Sequence, residues 1–566
     1  MTTTAHELVA TLEELGVEYV FGYPGGRAIE LFEHLPDSDV TVVRPRDERE
    51  ASVMAEAHGR LTGRPAVLTG QGPWIGSLGA IGQMEARLAS SPMVVLTEAS
   101  ERGEYSTLAP YQQSRGDYGG LGLPDILEGI TKEWWFPRTP VETLRSTQLA
   151  FKHAVAGRPG PTAVILDGNA ITDEVPDDPT PPAWDAREQA RTWDAAPTDD
   201  DVAAAVEALE AADRPVVIAG NGVHAATAYD ELAAVADAYD CAVVTSYLGK
   251  STYPETADRA AGVIGSFGHE GANRVVSEAD TLLVVGCRLN PMDTNWQAPE
   301  FVRPDEQTIV HADVDARNAG WVYPADVGLI GDAAESLAAL ADAGGAENGW
   351  ALERAAEARE WFTAPECRDD SSPIKPQRAA AEIQRVVDGE TIVTADSGNN
   401  RFWLLYYLQT PAVRTYFGSG GVGGMGWAQP AAVSAALTTD KDAIAVAGDG
   451  GFSMTMNSVE TAVEYGVAPT FVVLNDTSLG MVRQMQDEGH GEIASVEFHD
   501  TDFVQVAEAF GAVGRRVTDP DDLADALEDG KAADTPHVVD VRIDREEEMA
   551  DQLASSFYES VGGLHE

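Results

Sequence analysis

Two short stretches bring together side chains that could do chemistry: Gly448-Asp449-Gly450-Gly451 and Leu474-Asn475-Asp476. Each closes an apolar run, Ala443 to Ala447 before the first and Phe471 to Leu474 through the second. Runs of that length and composition read as buried strands. Asp449 and Asp476 stand 27 positions apart, the length of one strand–helix–strand unit. Two parallel strands joined in this way end on the same edge of their sheet, so the two carboxylates can converge there. Paired carboxylates suit a hard divalent cation such as Mg²⁺, which takes oxygen ligands and is often shared with phosphates. The glycines allow backbone N–H groups to approach a diphosphate.

The elements that must position these residues recur along the chain. Two polar, Pro-rich segments, about 172–200 and 343–376, read as linkers. They leave three blocks, 1–171, 195–342 and 376–545. In block one the apolar runs are Tyr19 to Phe21, Ala66 to Leu68, Met93 to Leu96 and Thr162 to Leu166. In block two they are Pro215 to Ala219, Ala242 to Val244, Leu282 to Val285 and Thr308 to Val310. In block three they are Ile392 to Thr394, Ala443 to Ala447, Phe471 to Leu474 and Val538 to Val541. Short β-branched runs separated by helix-length stretches indicate the α/β class with parallel sheets. Ligands in such folds sit beyond the carboxyl ends of the strands. Several runs end there in Gly, Asn or an acid: Gly22 to Gly26, Gly70 to Pro73, and Asp396-Ser397-Gly398-Asn399-Asn400.

The net charge of −55 comes from 38 basic and 93 acidic residues spread along the chain. Such a surface repels itself and needs salt to screen it. The expectation is a cytoplasmic protein of a salt-accumulating halophile, with neither nucleic acid nor an anionic membrane as partner. Cys241, Cys287 and Cys367 are far apart, without metal spacing, and fit reduced structural thiols. The first residues lack a basic region followed by an apolar core, so no secretory signal is expected. No apolar run approaches the ~18 residues of a membrane span.

The chain resembles the thiamine-diphosphate (ThDP) enzymes that include acetolactate synthase, over roughly residues 5–545. Gly448-Asp449-Gly450 with Asn475-Asp476 is similar to the family's metal-binding signature. That resemblance implies Mg²⁺ held by Asp449, Asp476 and the carbonyl of Ser478, with Asp476 standing where Asn is usual. It also implies three doubly wound parallel-sheet domains: pyrimidine-binding, middle Rossmann-like and diphosphate-binding. Val20 to Gly26 matches the family's first strand and turn, which brings Pro24 and Gly25 to the cofactor. Ala55-Glu56-Ala57-His58-Gly59-Arg60-Leu61-Thr62-Gly63 resembles the helix after the family's catalytic Glu, and its register places that carboxylate on Glu48. In the family this Glu hydrogen-bonds the pyrimidine ring nitrogen, as a carboxylate able to share a proton in a dry site. Gly420 to Gly426 resembles the loop whose Met bends the cofactor. By carry-over Met425 is the wedge, and the carbonyls of Gly423 and Met425 meet the aminopyrimidine. Ser397, Gly398, Asn399 and Asn400 align with a diphosphate contact. Gly450, Gly451, Gly480 and Met481 complete the expected cofactor set.

The family chemistry is decarboxylation of a 2-oxo acid, after which the enamine adds to a second carbonyl, is protonated, or is oxidised. No His lies between His58 and His153, where decarboxylases of the family draw their proton donors. Tyr111-Gln112-Gln113 resembles instead a substrate-contacting motif of acetolactate synthases, with Gln112 as the contact. The expectation is an acetolactate-synthase-like carboligase. The alternatives are a 2-oxo-acid decarboxylase or C–C lyase, a flavin-linked oxidase, and a non-catalytic relative; intact Glu48, Asp449 and Met425 speak against the last. His269, His490 and His499 remain as candidate acids. Two departures stand out. Gly286-Cys287-Arg288-Leu289-Asn290 lacks the Asp-Arg pair of the flavin-bearing enzymes, which puts FAD in doubt. Met485 stands where acetolactate synthases carry a Trp that shapes the acceptor pocket. The family further implies a homodimer or tetramer and admits a regulatory subunit.

Overall fold

The computed structural model describes residues 2–99, 114–116, 120–168, 170–177, 182, 184–359 and 364–547. The described residues fall into two compact units. One lies within residues 1–193 with Gly421–Gly424 and Val433–Thr438; the other comprises Asp194–Gly420, Met425–Ala432 and the residues from Thr439 onward.

The first unit holds a six-stranded sheet: β1 (Tyr19–Gly22), β2 (Thr41–Val43), β3 (Ala66–Gln71), β4 (Met93–Glu98), β5 (Glu133–Trp135) and β6 (Pro161–Leu166), in the order β2-β1-β3-β4-β6-β5. The second unit holds two. One contains β7 (Pro215–Ala219), β8 (Ala242–Thr245), β9 (Ala260–Val263), β10 (Thr281–Val285), β11 (Thr308–Asp313) and β12 (Val327–Ile330), ordered β12-β11-β10-β7-β8-β9. The other contains β13 (Thr391–Ala395), β14 (Tyr416–Gly418), β15 (Asp442–Gly448), β16 (Thr470–Asn475), β17 (Val513–Val517) and β18 (His537–Arg542), ordered β14-β13-β15-β16-β18-β17. All neighbouring strands run parallel. The first and third sheets share one strand order, so the similar rhythm of blocks one and three has a topological cause. The middle sheet has the doubly wound dinucleotide-fold order.

The strands are apolar on both faces because helices cover both. On β7, Val217 and Ala219 enter one core cluster while Val216 and Ile218 enter another. Successive side chains of a strand point to opposite faces, so a sheet covered twice needs a continuous apolar run. Each fully buried Val, Leu or Ile contributes roughly 1.5–3 kcal/mol relative to exposure. Every run singled out in the sequence is an inner strand, and the edge strands β2, β5, β9, β12, β14 and β17 are additional to them. Among the described residues no helix is long and apolar enough to cross a membrane.

Candidate active site

The third sheet delivers its polar residues to one edge. Gly448 at the end of β15 pairs with Leu474 near the end of β16, so Asp449 and Asp476 leave neighbouring strands at the same level. Asp449 begins the helix Asp449–Thr455 directly after its strand. Asp476 sits in a tight turn: its Oδ1 accepts the N–H of Ser478 at 2.9 Å, and Thr477 between them has φ +59°. The turn is braced from the next strand, where Asn475 donates to Asp540 at 2.8 Å. Gly480 follows, and a Cβ there would lie 2.4 Å from Asp476 Oδ2, so only glycine lets the helix Gly480–His490 start so near the carboxylate.

A cavity of about 150 Å³ opens at this edge. Ser397, Gly398, Asn399, Asn400, Met425, Asp449, Gly450, Gly451, Asp476, Ser478, Gly480 and Met481 all line it, which is every cofactor or metal candidate of block three except Gly423. They arrive from four places: the loop after β13, the glycine loop after β14, and the ends of β15 and β16. The strand order turns back between β13 and β15, and such a switch point is where open α/β sheets bind ligands.

Arg483 and Arg545 also line the cavity, yet burial dominates the electrostatics of its two acids. Burial and then the neighbouring Asp476 push the Asp449 carboxyl up to about 8. Burial raises Asp476 as well. Asp449 Oδ1, Ser478 Oγ and Asn399 Oδ1 are buried without a hydrogen-bond partner. Two carboxylates forced together away from water want either a proton or a cation between them. Among the described residues no group of three or more His, Cys, Asp or Glu side chains could hold a metal ion. The available donor set is therefore two carboxylates and backbone oxygen, which fits a hard divalent cation shared with a phosphate ligand.

The remaining candidates lie in the first unit. Pro24 and Gly25 form the turn after β1, where a Cβ on Gly25 would sit 3.3 Å from Gln71 Oε1. Glu48 is the first residue of the helix Glu48–Thr62, which Asp47 caps by accepting the Glu50 N–H at 2.9 Å and Gly63 ends at φ +71°. Glu48 is buried, and burial above all raises its carboxyl from the ordinary range. Gly423 is held through its N–H by Glu85 at 3.2 Å. Gln112 lies outside the described residues.

Of the candidate acids, His269 is fully buried, accepts the Val263 N–H through Nδ1 at 2.9 Å, and meets the Tyr406 carbonyl through Nε2 at 3.0 Å. With both nitrogens engaged, it is a structural side chain. His499 is exposed, and the side chain of His490 lies outside the described residues. Three further buried acids stand out, Asp396 singled out in the sequence only as a strand end and the other two not at all. Asp396 accepts the N–H groups of Gly426 and Trp427, each at 2.9 Å. Glu98 ends β4 and lies so close to the turn after β1 that a Cβ on Gly26 would be 2.5 Å from its Oε1. Glu85 is buried on the helix Ala80–Ala89. Asp396 and Glu98 each directly follow or end an apolar run, the same signal that marks Asp449; Glu85, inside a helix, has no such mark.

Comparison with known proteins agrees with this geometry. Residues 2–118 match the N-terminal TPP binding domain of thiamine pyrophosphate enzymes, 202–340 the central domain, and 396–541 the C-terminal TPP binding domain. The probable acetolactate synthase large subunit of Methanocaldococcus jannaschii is 30% identical, over 96% of this chain and 92% of its own. The acetolactate synthase large subunit of Parasynechococcus marenigrum is 31% identical, over 96% and 88%. The acetolactate synthase isozyme 3 large subunit of Escherichia coli is 30% identical, over 93% and 92%. Three parallel sheets, a switch-point cavity with paired acids, and end-to-end similarity to these relatives lead to one conclusion: this chain belongs to the thiamine pyrophosphate enzyme family and is similar within it to acetolactate synthase large subunits.

Proposed function

We propose that the protein is a ThDP- and Mg²⁺-dependent carboligase of acetolactate synthase type. It decarboxylates a 2-oxo acid and joins the retained fragment to a second carbonyl compound. The observation that carries this reading is the cavity where Asp449 and Asp476, both raised by burial, face one another among diphosphate-compatible glycines. Asp449, Asp476 and the Ser478 carbonyl would hold Mg²⁺, and Ser397 to Asn400 with Gly450 and Gly451 would line the diphosphate. Bound ThDP supplies a carbon nucleophile for the 2-oxo group and accommodates the negative charge left when CO₂ departs. Glu48, held toward its protonated form by burial, shares a proton with a ring nitrogen of the pyrimidine. Met425 supports the ligand from beneath, and the carbonyls of Gly423 and Met425 orient its amino group. Gln112 positions a substrate carbonyl. Pro24 and Gly25, with Gly480 and Met481, complete the residues assigned to the cofactor.

Residues 1–171 would bind the pyrimidine, 195–342 form the central domain, and 376–545 bind the diphosphate and metal. It is drawn without a flavin, since the Asp-Arg pair of the flavin-bearing enzymes is absent. It includes assembly into at least a dimer, with room for a regulatory subunit. The cytoplasmic, halophilic setting rests on the charge of −55 alone. The decarboxylase alternative draws on Met485, which stands where acetolactate synthases carry a Trp, but the engaged nitrogens of His269 remove one proton donor.

Product analysis with ThDP, Mg²⁺ and pyruvate in molar KCl tests the reading. Acetolactate is the expected product. Acetaldehyde with CO₂ would replace the carboligase by the decarboxylase. No turnover despite measured ThDP binding would move the donor to another 2-oxo acid. Glu48→Gln is expected to lower turnover by roughly 10²–10⁴-fold with the fold intact; undiminished activity would refute its role.

A further inference from the structure

Glu85 makes a set of contacts unusual for a mid-helix acid. It is 2% exposed, on the helix Ala80–Ala89. Its Oε1 accepts the N–H of Gly421 at 2.8 Å, and its Oε2 accepts those of Val422 at 2.8 Å and Gly423 at 3.2 Å. Oε1 also receives Arg60 Nη2 at 2.8 Å. Arg60 is buried too and donates through Nε to Glu56 at 2.8 Å, while Ser91 Oγ donates to the same Glu56 oxygen at 2.7 Å. All these residues belong to the first unit.

Glu56, Arg60 and Glu85 together carry one net negative charge away from water. Burying charge is unfavourable unless hydrogen bonds meet it, and for stability alone apolar side chains would serve as well or better. Here the surplus charge is met by three consecutive backbone N–H groups of a loop 336 to 338 positions away in sequence. Charge-assisted bonds of this kind are short and directional. They fix the peptide planes up to the Gly423 nitrogen, and Gly423 itself stands at φ +72°. Rotation about its own φ and ψ is then the freedom left to its carbonyl. In the second unit the flanks of the same loop are also tied. Tyr247 donates its hydroxyl to the Ser419 carbonyl at 2.7 Å, and Asp396 accepts from Gly426 and Trp427.

We propose that Glu85, oriented by Arg60, is a positioning residue that sets the backbone of Gly421 to Gly423 for the cofactor's aminopyrimidine. This rests on the ThDP reading above. It assigns Glu85 no contact with substrate and no proton transfer; the residue acts through the loop.

The test uses the full-length protein with Glu85→Gln. The amide keeps the shape, but a single oxygen cannot accept from three N–H groups while its NH₂ faces them. Two readouts are taken. Hydrogen exchange in the ligand-free protein is expected to quicken roughly ten- to a hundredfold at the amides of 421–423. ThDP titration with Mg²⁺, followed by tryptophan fluorescence, is expected to weaken by a similar factor, with far-UV circular dichroism unchanged. Arg60→Lys, which leaves the three loop bonds in place, should weaken ThDP less. A folded Glu85→Gln that binds ThDP like the wild type overturns the proposal. Should that variant fail to fold, Glu85→Asp undergoes the same titration, with weaker binding supporting the proposal and unchanged binding overturning it. A wild-type protein that binds no ThDP overturns the functional reading, and exchange at 421–423 alone then decides whether Glu85 holds the loop.

Discussion

The two sheets of the second unit are both six parallel strands, yet Asp293 and Asp313 of the middle sheet are met quite differently from Asp449 of the third. At the carboxyl ends of the middle sheet the acids are satisfied from within. Asp293 accepts the Tyr247 N–H at 3.0 Å and the side-chain amide of Asn290; Asp313 accepts the Asp315 N–H at 2.8 Å and Asn318 Nδ2 at 3.3 Å. The loops after β7 and β10 also meet backbone to backbone, with Gly222 N–H on the Gly286 carbonyl at 2.9 Å. At the same end of the third sheet, Asp449 Oδ1 has no hydrogen-bond partner, and Asp449 and Asp476 both line the cavity. Fold and burial are alike. Supplied donors make the first acids into braces; in the second pair Asp476 has its Ser478 donor, but Asp449 Oδ1 is left for a ligand. A buried acid raised in pKa is therefore not by itself a functional mark: burial pushes Asp293 up to about 6, yet Asp293 holds a loop together.

This contrast can be broken by exchanging the expected phenotypes. The largest effect should come from Asp449→Ala. Saturating ThDP and Mg²⁺ should stabilise the wild type against heat by about 2.7 kcal/mol at a hundred times Kd. The variant should lose that gain, chelation should remove it from the wild type, and the apo variant should melt no lower than apo wild type because the cost of burying that carboxyl beside Asp476 is gone. An apo variant that melts markedly lower would make Asp449 a brace after all.

His58 sharpens the contrast from a different side, being buried without a hydrogen-bond partner for Nδ1 and away from any carboxylate pair. The rings of Tyr19 and Phe21 flank it, with Arg64 and Glu18 as the facing charges. Burial, then Arg64, lowers its imidazole from 6.5 to about 4, against the opposing pull of Glu18. The folded value lies below the unfolded one, so the unfolded chain takes up the proton first as pH falls. No penalty exists above about pH 6.5, and native stability declines between there and pH 4. At pH 5 the loss is about 2 kcal/mol. His58→Phe should flatten that part of the stability profile, and an unaltered slope would remove His58 as its source. The smallest effect is expected from Asp313→Ala: about 1 kcal/mol lower stability from the lost hydrogen bonds, with ThDP affinity unchanged in the same fluorescence titration. Weakened ThDP binding there would dissolve the division between the two sheets.

How far the sequence reaches is visible element by element. The four inner strands of each sheet announce themselves because both faces are buried and the run is continuously apolar. The edge strands do not: β17 is largely accessible along Val513–Val517, β2 and β5 are three residues long and partly exposed, and β14 is buried but equally short. Asp449 and Asp476 could be paired from spacing because one strand–helix–strand unit has a nearly fixed length. Gly63, Gly398 and Gly480 stand where the backbone turns left-handed or passes close to a side chain, so their positions too were legible.

What the sequence determined by itself is local and periodic: the α/β class, the inner strands, and the acids and glycines placed at strand ends. Only the tertiary structure decided which buried acids are satisfied and which are not. Nothing along the chain says that Asp293 finds its donors or that Asp449 Oδ1 does not, and Glu85 looks like any helix glutamate. The hydrogen bonds that separate them come from residues far away in sequence, Tyr247 to Asp293 and Gly421 to Glu85. Partner supply depends on how distant backbone segments pack, and no periodicity in the chain encodes it.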